Sequence, residues 1–431
     1  MKLFLRNFFA SILATFARGV LRKYHPTVVM VTGSVGKTST KDAIAAVLDS
    51  RFYIRASEKS YNSEFGVPLT ILGANNPWAS PFAWLKVFGE ALALLIFPNH
   101  YPKVVVLEVG ADRPGDLARI LRIATPDIVV VTQLPEMPVH VEAYATPDAV
   151  REEEFAPAYS LAPDSPLILS ADDEYARALA VPLSVSVSTY GAHKDADIRI
   201  EAARPYFEDA IAAGMESTVY IHGTAHTLRV RGALGRPQLL APAAAISVGC
   251  ALGMTVEEVL KGVEAYVPPA GRGRLIHGRN ESCIIDDSYN ASPAAVEEAL
   301  ASLQIAASAQ KGTRRIAILG DMLELGRYSH EEHERIGKSA AGKCDVLVTV
   351  GVRSYATADA AVTAGLSKDQ AHRFDTAEGA AGFLKDFIQK GDAILIKGSQ
   401  SVRMERIVEA LLRTPEDRKL LVRQDYEWKK R

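Results

Sequence analysis

Apolar residues open this chain at helical spacing. Leu5, Phe8, Phe9, Ile12, Phe16 and Val20 recur at three- and four-residue steps, one face of a helix within residues 1–26. The uncharged part, Asn7 to Ala17, is too short for the roughly 20 residues a membrane span needs. A secretory signal has a similar basic start and short apolar middle. Otherwise the helix docks on its own domain or lies on an anionic membrane surface. Beyond it, short β-branched runs alternate with helical stretches. The strand runs are Thr27–Val31, Val104–Leu107, Ile128–Val131, Leu167–Leu169, Ile316–Leu319, Val346–Val350 and Ala393–Ile396. Such alternation predicts parallel α/β sheets.

Residues 185–231 have a different rhythm. Asp197–Glu201, Ser217–His222 and Thr227–Val230 alternate polar and apolar positions, as an antiparallel insertion or edge would. A helical pair follows over residues 241–265, and then VPPAGRGRL, a Pro/Gly-rich stretch suited to a domain boundary. The expected layout is therefore an N-terminal helix (1–26), a nucleotide-binding domain with a parallel sheet (27–270) and a second, Rossmann-like α/β domain (271–431). The tail RKLLVRQDYEWKKR is charged and reads as helical or frayed.

The strongest chemical signal lies where the first strand meets the first helical stretch after it, Lys41–Asp49. Gly33-Ser34-Val35-Gly36-Lys37-Thr38 is a strand–turn–helix loop whose backbone N–H groups suit phosphate oxygens. Lys37 would neutralise the terminal phosphates, and the Thr38 hydroxyl would ligate Mg²⁺. The strict nucleotide-loop pattern puts its first glycine at position 31, which is Val31, so this is a shortened variant. The bland alternative is an ordinary strand-to-helix turn. Further ligands should come from neighbouring strand tips, where α/β sheets bind ligands. Glu108 ends the apolar run Val104–Leu107, where a charge is costly unless paired or metal-bound. His140 follows the run Ile128–Val131.

Composition narrows the class. Among 431 residues, 49 Lys and Arg balance 51 Asp and Glu, which argues against a nucleic-acid coat. Cys250, Cys283 and Cys344 are far apart and form no CxxC pair, so neither a disulfide framework nor a zinc site is expected. One asymmetry stands out: no acidic residue precedes Asp42, while Lys2, Arg6, Arg18, Arg22 and Lys23 do.

Six blocks in order resemble the Mur ligase superfamily of ATP-dependent amide ligases, and within it the branch that adds D-alanyl-D-alanine to a UDP-N-acetylmuramoyl tripeptide. They are TGSVGKTSTK, SYNSEFGVPLTIL, LEVGADRPGDL, DDSYNASP, ILGDMLELG and KGSQSVRMERIV. The resemblance spans residues 28 to 410. It implies that ATP phosphorylates a peptide carboxylate and that an amine then displaces phosphate from the acyl phosphate. It assigns the phosphates to Gly33, Ser34, Val35, Gly36, Lys37, Thr38 and Ser39, with Arg272 near them. It places Asp287 at the ribose and makes Thr38, Glu108 and His140 the magnesium ligands. Asn62, Asn290, Lys397, Ser399 and Arg403 would face the substrate. Simpler roles compete for some of these. DDSYN suits a helix cap, and Arg403 with Glu405 suits a solvated surface pair.

The chain departs from the family in three places. The family's carbamylated lysine, fourteen positions after the metal histidine, is here Glu154. Its carboxylate is expected to stand in for the carbamate as a catalytic and metal-binding group; the competing reading is a solvated acidic helix face. The family's adenine-proximal His-Asn pair is replaced by Arg236-Pro237-Gln238, leaving Gln238 as the adenine contact. Only 32 residues precede Gly33, in place of a UDP-binding domain. The peptide substrate is therefore expected on a lipid carrier, presented by a partner, or as a free peptide. A nucleotide site right after the first helix argues against export and for a cytoplasmic location, with the helix at the inner membrane face if it binds lipid. Two other functions stay open: a Mur-like ligase with another acceptor, such as a glutamylated pterin or an amino-acid polymer, and a non-catalytic nucleotide-binding scaffold.

Overall fold

The computed structural model describes residues 2–57, 60–77, 80–208, 211–308, 312–425 and 428. The strand runs assemble into two sheets. The first contains β1 (Thr27–Thr32), β2 (Ile54–Ala56), β3 (Val104–Glu108), β4 (Ile128–Val131), β5 (Pro166–Ser170), β6 (Ser186–Gly191), β7 (Ile198–Glu208), β8 (Ile211–Ile221) and β9 (Thr224–Arg231). Their spatial order is β2-β3-β1-β4-β5-β6-β7-β8-β9. Pairing is parallel from β2 through β7, then antiparallel through β8 and β9. Within the stretch of changed rhythm after residue 185, β6 still pairs parallel, and β7–β9 form the antiparallel edge of one continuous sheet.

β1 lies between β3 and β4 and is buried on both faces, which is why it reads as an unbroken apolar run. Val29 and Val31 join one core with Ala43, Ile44 and Val47 of α2 (Lys37–Asp49). Val28 and Met30 point the other way, into a core with Leu13, Ala17 and Val20 of α1 (Lys2–Tyr24). The opening helix therefore docks on this sheet. Of its expected apolar face, Val20 enters the core, while Phe9 stacks on Phe88 and Phe16 packs against it at a tilt. The side chains of Leu5 and Phe8 lie outside the described set.

Phe88 belongs to a helix that the spacing does not reveal. After α3 (Gly66–Leu72), α4 (Pro81–Ile96) is apolar on nearly every side, so no period emerges. Its start is clear only at the level of capping. Ser80 accepts from Ala83 N–H, and Pro81 sits at the first helical position.

The second sheet contains β10 (Arg274–His277), β11 (Cys283–Asp287), β12 (Arg315–Gly320), β13 (Val346–Val350), β14 (Ala371–Phe374) and β15 (Ala393–Lys397). Its order is β10-β11-β15-β12-β13-β14, parallel except for the first pair. The three cysteines are free. Among the described residues no helix is long and apolar enough to cross a membrane.

Candidate active site

β1 turns through Gly33-Ser34-Val35-Gly36 into α2. Gly33 and Gly36 have φ of 119° and 89°. A Cβ on Gly33 would also collide with Thr132, so the turn requires glycine. The tip of β4 supports the rim: Ser34 N–H donates to the Gln133 carbonyl at 2.8 Å, and the Thr132 hydroxyl donates to the Thr32 carbonyl at 3.0 Å. α2 begins without a side-chain cap, which leaves its first N–H groups to a phosphate.

Three strand tips converge here, as the pairing of Val31 with Glu108 and of Thr32 with Val131 requires. Thr38 is the hub. Its hydroxyl donates to Glu108 Oε1 at 3.1 Å, accepts from Arg272 Nη2 at 3.1 Å and lies 2.9 Å from Ser60 Oγ. Arg272 comes from the turn before the second sheet and stacks 4.0 Å over the Tyr289 ring. Glu108 is buried, and burial pushes its carboxyl pKa up against the pull of Lys41, Lys37 and Arg272. Its Oε2, with Ser34 Oγ and Arg272 Nε, is buried without a hydrogen-bond partner. Orphaned polar atoms at one point suit a polar ligand.

Lys37 Nζ donates to the Gly33 carbonyl and lies 3.7 Å from Glu154 Oε1. A Cβ on Gly110, beyond β3, would sit 3.2 Å from Asn62 Nδ2 and 3.4 Å from Lys37 Nζ, so these two side chains converge over that glycine. The cleft, about 770 Å³, is lined by Lys37, Thr38, Asn62 and Glu108 from one side and by Arg272, Asn290 and Ser399 from the other. A second cavity of about 480 Å³ borders Val35 and Ser39 of the loop and reaches Arg236 and Pro237.

His140 lines the cleft with a left-handed backbone (φ 63°). Its Nδ1 is 3.0 Å from Glu324, which belongs to the second sheet's lobe, and its Nε2 is 3.6 Å from Asp112. Burial lowers the imidazole pKa, but the hydrogen bond and charge of Glu324, with Asp112, outweigh it and raise it overall. The same bond lowers the Glu324 pKa. The pair ties the two lobes across the cleft.

Several expected residues sit elsewhere than the motifs suggest. Glu154 is not on a solvated helix face: it is fully buried on α6 (Pro147–Tyr159; α5, Asp116–Leu121, precedes it). It accepts from Thr32 Oγ1 at 3.1 Å and from Gly33 N–H at 3.2 Å, behind the loop. Among the described residues no three His, Cys, Asp or Glu side chains gather tightly enough to hold a metal. The expected set of Thr38, Glu108, His140 and Glu154 is therefore not one cluster; only Thr38 and Glu108 touch. The cause is local, since Glu154 is drawn to the loop backbone and His140 to Glu324.

Gln238 is buried and donates to the Arg272 carbonyl at 2.8 Å; Arg236 and Pro237 line the second cavity instead. Asp287 is ion-paired to the buried Lys397 at 2.6 Å, because β11 and β15 place them side by side. Lys397 also donates to the Asn290 carbonyl at 3.0 Å. Arg403 does not line the cleft: it donates to Glu405 at 2.6 Å, and that carboxylate is buried rather than solvated. Ser60, Tyr289 and Glu324 were not singled out from the sequence. Each lies within or beside a motif block, which is the signal that would have found them.

The chain matches the Mur ligase middle domain over residues 31–229 and the "Mur ligase, glutamate ligase domain" over residues 271–400. It is 27% identical to the UDP-N-acetylmuramoyl-tripeptide–D-alanyl-D-alanine ligase of Bacillus subtilis, covering 94% of this chain and 79% of that one. The Escherichia coli ligase of the same name is 26% identical, over 89% of this chain and 76% of that one. The crystal structure of MurF ligase from Thermotoga maritima in complex with ADP superposes with a TM-score of 0.76 at 25% identity, covering 95% of this chain and 84% of that one. A Mycobacterium tuberculosis folylpolyglutamate synthase complexed with ADP, at 15% identity and a TM-score of 0.62 over 92% and 94%, shares the fold. With two successive domains matched in order and the glycine loop, Glu108 and Arg272 converging between them, the chain belongs to the Mur ligase family.

Proposed function

We propose that this chain is an ATP-dependent ligase that joins D-alanyl-D-alanine, through its amino group, to the peptide carboxylate of a muramoyl tripeptide. The observation that carries this reading is the Thr38–Glu108–Arg272 contact on the glycine loop, in a chain resembling such ligases along most of its length. We place the division between the two catalytic lobes at residues 270 and 271.

The loop N–H groups and the N-terminus of α2 hold the β- and γ-phosphates, and Lys37 and Arg272 neutralise the charge that develops on transfer. Thr38 and Glu108 fit Mg²⁺. Both are hard oxygen donors, one carboxylate oxygen lacks a partner, and this ion needs only one or two carboxylates besides water and phosphate. When bound, the ion would withdraw charge from the phosphates. Asn62, beside Lys37, orients the peptide carboxylate for in-line attack on the γ-phosphorus. The carboxylate oxygen takes the γ-phosphoryl group as ADP leaves; the dipeptide amine then attacks the carbonyl carbon, loses a proton, and phosphate departs with that oxygen as the amide forms. Val35, Ser39, Arg236 and Pro237 border the cavity suited to the nucleoside. His140 and Glu324 hold the lobes together across the cleft. Glu154 supplies a built-in carboxylate under the loop, positioning Lys37 and Gly33. The need for ATP puts the reaction in the cytoplasm.

The test is product mass. With ATP, magnesium, a muramoyl tripeptide (nucleotide- or lipid-linked) and D-Ala-D-Ala, the acceptor should gain one dipeptide less water, with one phosphate released. Turnover only with other acceptors would move the chain to a different substrate, and nucleotide binding without any acceptor-dependent turnover would make it a scaffold.

A further inference from the structure

An apolar helix is normally buried all round. α4 is not. Its inner side packs on α1 through Val87 and Ala91, which are buried. Its outer side carries Phe82, Leu85, Leu92 and Ile96, exposed by 84, 67, 48 and 61%. Their spacing of three, seven and four residues puts all four on one stripe, with Gly89 open to space between them. The stripe runs about 21 Å along the helix. Phe97, also exposed, extends it at the helix end.

α1 lies beside this stripe and runs parallel to α4, since Phe9 meets Trp84 at one end and Lys23 meets Leu94 at the other. Lys23 donates to the carbonyls of Leu94, Leu95 and Phe97, closing the C-terminal end of α4 with a positive charge. The two helices carry six basic residues and one acidic residue, Glu90. Arg22 and Lys86 are exposed. The molecule thus presents an exposed apolar ridge beside a basic helix on the face of the sheet opposite α2.

We propose that the α1–α4 face docks on an anionic lipid surface, with the α4 stripe at the acyl boundary and the α1 cations at the headgroups. Charge selects this occupant. A second copy placed on the same face would bring together two helix pairs that each carry six basic residues against one acidic, whereas anionic headgroups complement them. The ridge-forming element is α4; α1 supplies the charge. The inference stands apart from the catalytic reading, because it uses no residue of the cleft.

The test is flotation of the full chain with phosphatidylcholine vesicles, with and without phosphatidylglycerol. Binding is expected with phosphatidylglycerol and should weaken as salt rises. Leu85→Glu/Ile96→Glu should reduce binding tenfold or more while leaving the thermal midpoint and ATP affinity unchanged. If that variant does not fold, Phe82→Ser/Leu92→Ser gives the same reading with a milder change. Arg22→Gln and Lys86→Gln should each cost about fivefold, about 1 kcal/mol per surface charge. No binding to anionic vesicles, or equal binding by the stripe variants, would overturn the proposal. So would a dimer in solution that the stripe variants split without any vesicle binding.

Discussion

The two lobes contribute unequally to the cleft. From the first come the glycine loop, Lys37, Thr38, Asn62 and Glu108, which converge because one sheet aligns three adjacent strand tips. From the second, Arg272, Asn290 and Ser399 reach the cleft, while Asp287 and Lys397 neutralise each other and Arg403 turns to Glu405. A phosphate site needs backbone geometry that few sequences satisfy, so its motif is specific. A charged residue in the second lobe has several neighbours able to pair with it, and only packing decides which one does.

That difference can be broken experimentally. Arg272 is the second lobe's reach into the phosphate site, and removing a charge-stabilising arginine from phosphoryl transfer costs on the order of a thousandfold or more. Arg272→Ala should lose turnover on that scale with little change in thermal midpoint. A loss of only a few-fold would make the arginine a lobe tether. Asp287→Ala should instead act on stability. It leaves Lys397 buried without its partner, which costs about 3 kcal/mol or more. Denaturant unfolding checks it, and an unchanged midpoint would return Asp287 to a ligand role.

Asp286, next to it, sharpens the same contrast through pH. Burial raises its pKa to about 6 from 3.8. The folded state therefore holds this proton more tightly than the unfolded chain does. The associated stability is present below about pH 4 and is lost as pH rises through about 6. The shift corresponds to on the order of 3 kcal/mol. Asp286→Asn should flatten this part of the stability profile and be relatively more stable than the parent at pH 8; an unaltered profile would contradict it.

Glu154 gives a smaller effect. Glu154→Gln keeps the shape but removes the charge beside Lys37, and should lower turnover by roughly ten- to a hundredfold, on the scale of a supporting contact. The parent should be indifferent to added bicarbonate. Full activity of Glu154→Ala would remove it from the mechanism.

Much of the fold was legible. The β-branched runs became the strand cores, and most of the stretch of altered rhythm, from Ile198 on, became the antiparallel edge, while β6 before it stayed parallel. α4 was not, because helical spacing shows only when a helix has a polar side, and this one has almost none. In the site, Lys37, Thr38 and Glu108 follow from local sequence. The bonding of Glu154 to Gly33, 121 residues away, and of His140 to Glu324 does not, since nothing in either segment names its partner.

The central claim is activation of a carboxylate by phosphoryl transfer. A tripeptide acceptor labelled with ¹⁸O in its reacting carboxylate tests it most directly. Passage through an acyl phosphate predicts one labelled oxygen in each phosphate released with the amide product. Unlabelled phosphate, formed at the same rate as the amide, would contradict the account.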